Sequence, residues 1–348
     1  MSAGGRSPHP VRPVNPPVNP PVNAPVNVAF LGCGFIAGVH SRHLSALGDE
    51  VVRGYASRDR GRAESFRRRH GGDRAYGGYA EALADPEVDA VVVAVPPRFH
   101  LELTLEALRA GKHVLVEKPA FLRREDYELV RAARDEADRV VCVGENDHYK
   151  PLAVCLRGLL ASGVIGDLVF GHFTSIARVP KGGDDWRNDE EMAGGDAFFE
   201  EGIHWLHLAG SLGPTITRVH GYRPRPAPDT GVHGDRRVRS MLVAFEYDTG
   251  AVGALYYSRE VPSLLRGVRT SKLFGREGVI TFESNGGGVL VHGRGRPRGV
   301  VPGWRDIRGY RAMYRDFLRA IRNGGIPEMS PERALADHLL MDQVYARG

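Results

Sequence analysis

From residue 26 onward, short apolar runs alternate with stretches of helical spacing. "VNVAFL" (26–31) predicts a strand, "GCGFIAG" (32–38) a glycine turn and "VHSRHLSAL" a helix. "VVRGYAS" (51–57) predicts a second strand and "RGRAESFRRRHG" a second helix. "VDAVVVAVPP" is almost continuously apolar, as a strand buried on both faces requires. "RFHLELTLEALRAG" then predicts a helix, "KHVLVEKP" a strand, "REDYELVRAARDEAD" a helix and "RVVCVGEN" a further strand. Strands alternating with helices predict a doubly wound parallel sheet over 26–146, in an α/β chain.

The pattern changes after residue 146. "HYKPLAVCLRGLLASGVIG" predicts a helix and "DLVFGHFTSIA" a strand. The polar loop "RVPKGGDDWRNDEEM" leads to a helix over 196–210. "VRSMLVAFEYDTGAVGALYYSRE" predicts a hairpin about Asp248-Thr249-Gly250, and "TSKLFGREGVITFES" a second pair turning at Arg276-Glu277-Gly278. Strands that follow one another without helices predict a large open, mainly antiparallel sheet. Residues 147–348 are therefore expected to form an α+β domain for substrate binding and oligomerisation, with C-terminal helices packing back.

Ahead of both lies "PVNPPVNPPVNAPVN", a proline repeat that blocks helix and central strand, so residues 1–25 are expected to be a disordered tail. Of 348 residues, 42% are hydrophobic and 26% charged, an ordinary globular balance. The net charge is +5, but the basic residues are scattered, which argues against nucleic acid as partner. "RRRH" (67–70) fits the solvated face of a helix. No apolar run reaches membrane-span length, and the N-terminus has no apolar core of a secretory signal. Cys33, Cys142 and Cys155 show no metal-ligand spacing, and a reducing cytoplasm is the expectation.

The glycine turn meets the pattern G-x-G-x-x-A with Gly32, Gly34 and Ala37, enclosing Phe35 and Ile36. The first glycine permits the tight turn, and the second lets the backbone approach a pyrophosphate. Ala37 permits close helix packing, and the helix start offers N–H groups to the anion. This predicts a Rossmann dinucleotide site. An NAD site usually ends its second strand in Asp or Glu; here Ser57 and Arg58 stand there. A hydroxyl and a guanidinium welcome a 2′-phosphate that a carboxylate would repel, so NADP(H) is expected over NAD(H). Asp59, one residue later, is expected to cap the next helix.

"AVPPRFH" (94–100) and "GKHVLVEKP" (111–119) both close strands, where ligands bind in such sheets. Glu117-Lys118-Pro119, downstream of the glycine turn, resembles the Gfo/Idh/MocA oxidoreductases, a family of NAD(P)-dependent sugar and cyclitol dehydrogenases and reductases. The resemblance runs from about Val26 to the end of the chain, "GYRAMYRDFLRAIRNGGIPEMSPERALADHLLMD" included. The family's second signature is a glycine pair followed by Asp-x-Gly-x-His. Gly194, Gly195, Gly202 and His204 match it, with Glu200 where Asp is usual. The resemblance implies that Lys118, Glu200 and His204 meet over the nicotinamide. It also implies that Pro96, His100 and Glu117 border the cofactor, and that the second sheet makes a homodimer or homotetramer.

These residue types suit hydride transfer. As a carbinol carbon is oxidised its oxygen loses a proton, and a ketone gains one on reduction. Lysine can donate to that oxygen or offset its negative charge, and histidine titrates in the right range. Glu200, one helical turn from His204, is expected to orient the imidazole. Either Lys118 or His204 can be the immediate donor. His207 is read as packing or support. Tyr149, Lys150, Trp186 and Arg187 are placed to line a substrate pocket. No metal is expected, since hydride transfer needs none. The expected activity is oxidation or reduction of a sugar, sugar nucleotide or cyclitol. A redox-assisted lyase or glycosidase of the same family, or a non-catalytic NADP sensor, are the alternatives.

Overall fold

The computed structural model describes residues 24–178, 186, 189–225, 239–262 and 269–346. Six strands form the first sheet: β1 (Val26–Leu31), β2 (Val51–Ala56), β3 (Arg74–Tyr76), β4 (Ala90–Val93), β5 (His113–Val116) and β6 (Val141–Val143). Their order is β3-β2-β1-β4-β5-β6, and every pair is parallel. β4 is buried at every residue, which is why "AVVV" has no polar position. The strand order reverses between β1 and β4, and a crevice opens beyond the strand ends at such a point. Helices α1 (Phe35–Ser45), α2 (Arg60–His70), α3 (Tyr79–Ala84), α4 (His100–Arg109) and α5 (Arg124–Ala137) connect the strands.

From α6 (Pro151–Ala161) the chain enters a second sheet: β7 (Leu168–Ile176), β8 (Ile216–Tyr222), β9 (Ser240–Tyr247), β10 (Val252–Ser258), β11 (Thr270–Gly275), β12 (Gly278–Glu283), β13 (Val289–His292) and β14 (Arg298–Val300). The order is β14-β13-β12-β11-β7-β10-β9-β8, antiparallel throughout except where β10 pairs with β7. Between β9 and β10 the hairpin turns through Gly250 at φ +81°, a left-handed position that glycine takes without strain.

Between β7 and β8 come α7 (Glu190–Ala193) and α8 (Ala197–Gly210). α8 lies on the sheet's inner face: Phe198, Trp205, Leu206 and Leu208 join Phe173, Phe245 and Leu255 in one buried cluster. Asp196 starts the helix by accepting from the N–H groups of Phe198 and Phe199 at 2.9 and 3.0 Å. Two final helices, α9 (Tyr310–Asn323) and α10 (Pro331–Ala346), tie the sheets together. Tyr314 and Phe317 of α9 belong to the first core, whereas Met341 and Val344 of α10 belong to the second. Most of the proline repeat, up to residue 23, lies outside the described residues.

Candidate active site

The crevice beside β1 is shaped by glycine. Gly32 has φ +115°, and a Cβ there would stand 2.5 Å from the Ala94 carbonyl oxygen. Gly34 precedes α1 without any side-chain cap, and a Cβ built on it would meet no atom within 4 Å. The space beside Gly34, at the uncapped start of α1, is thus open, which fits the approach of a dinucleotide pyrophosphate. Ala37 is fully buried beneath them, Ile36 is half-buried and Phe35 is exposed. At the end of β2, Ser57 is buried and Arg58 is exposed. Asp59 caps α2 by accepting from Gly61 N–H at 2.8 Å, so its carboxylate is engaged there. Pro96 is half-exposed just past β4.

Beyond β5 the chain carries two residues with different fates. Glu117 is buried, with Oε1 2.5 Å from His40 Nε2, and His40 Nδ1 is 2.6 Å from the Tyr314 hydroxyl of α9. Burial opposes the Glu117 charge, yet the His40 hydrogen bond and the Lys118 charge hold the carboxyl below its usual range. Glu117 therefore anchors α1 and α9 to the strand end. His100 is also turned into the protein. It is fully buried, with Nδ1 3.0 Å from the Pro119 oxygen and Nε2 2.8 Å from the Val95 oxygen. It braces two strand-end loops.

Lys118 turns the other way. Its Nζ donates to the Glu200 backbone oxygen at 3.0 Å and lies 3.9 Å from Glu200 Oε1. Both side chains are mostly buried, at 17% and 16% exposure. The first sheet's strand end thus meets the first turn of α8. One turn further, His204 Nδ1 is 2.7 Å from both oxygens of Glu145. A carboxylate on the imidazole thus comes from beyond β6, and Glu200 pairs with Lys118. Glu145 went unnoticed in sequence because "VVCVGEN" ends as an apolar strand with no motif around it. Its position past the end of a parallel strand was the available signal.

Asp147 completes the group. Glu145, Asp147 and His204 present ligand-type atoms within 4.8 Å of one another, each already engaged within the chain. Lys150 Nζ donates to Asp147 Oδ2 at 2.7 Å. Burial would raise the Asp147 carboxyl, but Lys150 and then His204 hold it below its usual range. Lys150 thus stands at the site. Tyr149 is buried, with its hydroxyl donating to Asp316 at 2.7 Å, so it supports α9. Trp186 is half-buried ahead of α7, and Arg187 lies outside the described residues.

Behind His204 runs a buried relay. His207 Nδ1 is 2.8 Å from Asp337 of α10, His207 Nε2 is 2.9 Å from His148 Nδ1, and His148 Nε2 is 2.9 Å from Glu328. Burial lowers the His207 imidazole, but the Asp337 charge and hydrogen bond outweigh it and leave it raised, with Glu145 assisting and Arg333 opposing. A raised histidine contributes stability that is complete below its unfolded value and is lost as pH climbs through the folded one. Asp337→Asn should therefore destabilise the fold more near pH 6 than near pH 10, by about 1–3 kcal/mol at the lower pH. Thermal melts of both proteins at the two pH values check this; equal losses would rule it out.

The geometry defines an NAD(P)-binding Rossmann domain joined to a sheet domain that closes over its strand ends. Residues 26–145 match the model of the oxidoreductase family with NAD-binding Rossmann fold, and residues 154–281 match the Gfo/Idh/MocA C-terminal domain. The chain belongs to the Gfo/Idh/MocA oxidoreductase family. A D-xylose 1-dehydrogenase (NADP(+)) of Haloferax volcanii is 27% identical over 83% of this chain and 87% of its own length. A 1,5-anhydro-D-fructose reductase of Ensifer adhaerens is 34% identical, over 46% of this chain and 48% of its own length. The chain thus spans about half the length of some curated relatives and most of others. A solved levoglucosan dehydrogenase, in complex with NADH and levoglucosan, shares the fold. Its TM-score is 0.81 at 21% identity, over 93% of this chain and 98% of that one. Among the described residues, no helix is long and apolar enough to cross a membrane.

Proposed function

We propose that this chain is an NADP(H)-dependent oxidoreductase acting on a carbinol or ketone carbon of a sugar, sugar nucleotide or cyclitol. The observation that carries it is the meeting of Lys118 with Glu200, beside the His204–Glu145 pair, at the end of the cofactor crevice. The named relatives act on sugars, in keeping with this. In this proposal residues 26–146 hold the cofactor and residues 147–348 the substrate. The α1 amides beyond Gly32 and Gly34 would hold the pyrophosphate, and Ser57 and Arg58 the adenosine ribose. A bound nicotinamide supplies or accepts the hydride.

The chain's own residues handle the proton. The Lys118 ammonium donates to the carbinol oxygen or offsets its developing charge. His204 has Nδ1 committed to Glu145, which leaves Nε2 as the nitrogen to give or take a substrate proton. Glu200 holds Lys118 through its backbone oxygen, so the lysine is aimed by α8 itself. A screen of keto-sugars, sugar nucleotides and cyclitols, following NADPH absorbance, tests the activity. Bound cofactor with no turnover of any of them would count against it.

Cofactor choice follows from the end of β2. The xylose dehydrogenase is named for NADP(+) and the levoglucosan dehydrogenase holds NADH, so local chemistry must decide. Arg58→Ala should weaken NADPH binding by about 1–3 kcal/mol and leave NADH nearly unchanged. Fluorescence titration of both cofactors checks this. Tighter NADH binding by the unaltered protein would overturn the preference.

The outer face of the second sheet supports self-association. Phe170, 54% exposed, pairs in register with exposed Val252 and Phe274, and Leu290 is 64% exposed. Such a face on a broad sheet suits a second copy of the chain. Light scattering should give a dimer or tetramer that Phe170→Glu reduces to smaller species. A monomeric unaltered protein would reject it. The three cysteines are unpaired, which suits a reducing cytoplasm.

A further inference from the structure

One rim of the second sheet is lined with arginine on the face that α8 covers. Side chains alternate along a strand. Leu255 and Tyr257 of β10 are buried toward α8, and Arg259 continues that face past the strand end. Ser271 and Leu273 of β11 are buried on the same side, and Arg269 precedes them at the same alternation. Arg239 holds the matching position before β9, and its backbone oxygen accepts from Arg259 N–H at 2.8 Å. Only β7 separates β10 from β11, so these strand ends lie side by side.

Arg259 is buried and Arg269 half-buried, and each keeps bonding capacity to spare. Arg259 is 8% exposed, forms an ion pair with Glu201 of α8, and lies 5.5 Å over the Tyr257 ring. Arg269 lies 5.7 Å over the ring of Trp205, also on α8. The Nε of each is buried without a hydrogen-bond partner. Burial pushes Arg259 down to about 10, with the Arg269 charge adding to the effect and Glu200 opposing it. Burial likewise lowers Arg269, with Glu283 opposing it. Arg259 thus meets α8 at Glu201, next to the Glu200 that Lys118 contacts, and Arg269 meets it at Trp205, next to His204.

A neutral sugar offers hydroxyl groups, which satisfy a buried guanidinium poorly. A carboxylate or phosphate offers several acceptors in a planar or forked array, the match for two converging guanidinium groups. We propose that Arg259 and Arg269 bind an anionic substituent of the substrate, so that the substrate class is a charged sugar: a sugar acid, sugar phosphate or sugar nucleotide. This rests on the oxidoreductase function proposed above and narrows it.

Calorimetric titration of the NADPH-loaded protein with D-glucuronate, D-glucose 6-phosphate, dTDP-glucose and D-glucose tests it. At least one charged form should bind about tenfold or more tighter than D-glucose. Tightest binding of glucuronate identifies a carboxylate as the group read; tightest binding of a phosphorylated form identifies phosphate. Arg269→Gln should abolish the preference and Arg269→Lys should restore part of it. Equal binding of charged and neutral sugars by the unaltered protein overturns the proposal, as does a preference that survives in folded Arg269→Gln. Turnover followed in parallel keeps the two proposals apart. Neutral sugars turned over without charged preference sink this one alone. Charged sugars bound through Arg269 but never oxidised or reduced sink the catalytic one alone.

Discussion

Lys118→Ala is expected to lower kcat by a factor of about 10² or more, and His204→Ala by a similar factor. The two groups come from different domains and meet at α8: Lys118 follows β5 and bonds to Glu200, and His204 sits one turn along α8 from Glu200. If they serve one proton, the double variant should lose less than the sum of the single losses, because the second removal finds little left to remove. Glu200→Gln should be milder than either. The bond that Lys118 makes is to the Glu200 backbone oxygen, which the substitution leaves in place. NADPH affinity should persist in the His204 variant, since that residue belongs to the half proposed to hold the substrate. It should fall somewhat in the Lys118 variant if that lysine borders the bound cofactor as proposed. Steady-state kinetics beside cofactor titrations decide the matter. Near-normal turnover in both single alanine variants would reject the site, even with the fold intact.

The sequence makes the first sheet legible because burial there leaves a local imprint. β1 begins and ends where the apolar run "VNVAFL" does, and Asp59 caps α2 from the position its side chain suggests. The hairpin at Gly250 is equally plain, because a left-handed turn selects glycine. The three-residue β3 of the first sheet and β8, β13 and β14 of the second escape notice. β8 carries Thr217, Arg218 and His220 among its few apolar residues, and β14 is three residues long. Their strand character comes from neighbours in the sheet, which no local pattern encodes. The site divides in the same way. Lys118 and His204 are announced by motifs. Glu117 and His100 belong to motifs too, yet the chain turns them inward to His40 and to two backbone carbonyls. Glu145, Arg259 and Arg269 carry no local signature and become meaningful only when α8 is laid across the strand ends.

Glu145→Gln is expected to lower kcat by about 10²–10³ while leaving KM and NADPH affinity within a few fold. Glutamine has the shape of glutamate but only one accepting atom. In the native protein both carboxylate oxygens stand 2.7 Å from His204 Nδ1, and Oε1 also accepts from Asp147 N–H at 3.1 Å. If the amide oxygen of the variant stays on the Asp147 N–H, its NH2 group faces Nδ1. Nδ1 must then accept, and the ring's proton moves to Nε2, the nitrogen left for substrate. The imidazole is then held in a tautomer that can donate but cannot receive, and no carboxylate offsets the charge if it is protonated. Oxidation of a carbinol and reduction of the corresponding ketone should fall together, because the equilibrium constant ties the two rates once KM and cofactor affinity are held. Glu145→Asp keeps the charge and should recover part of the rate, a rescue that a purely structural role would not give. Melting curves establish that each variant is folded. An unchanged kcat in both directions for folded Glu145→Gln would take Glu145 out of the proton path and leave His204 oriented by packing alone.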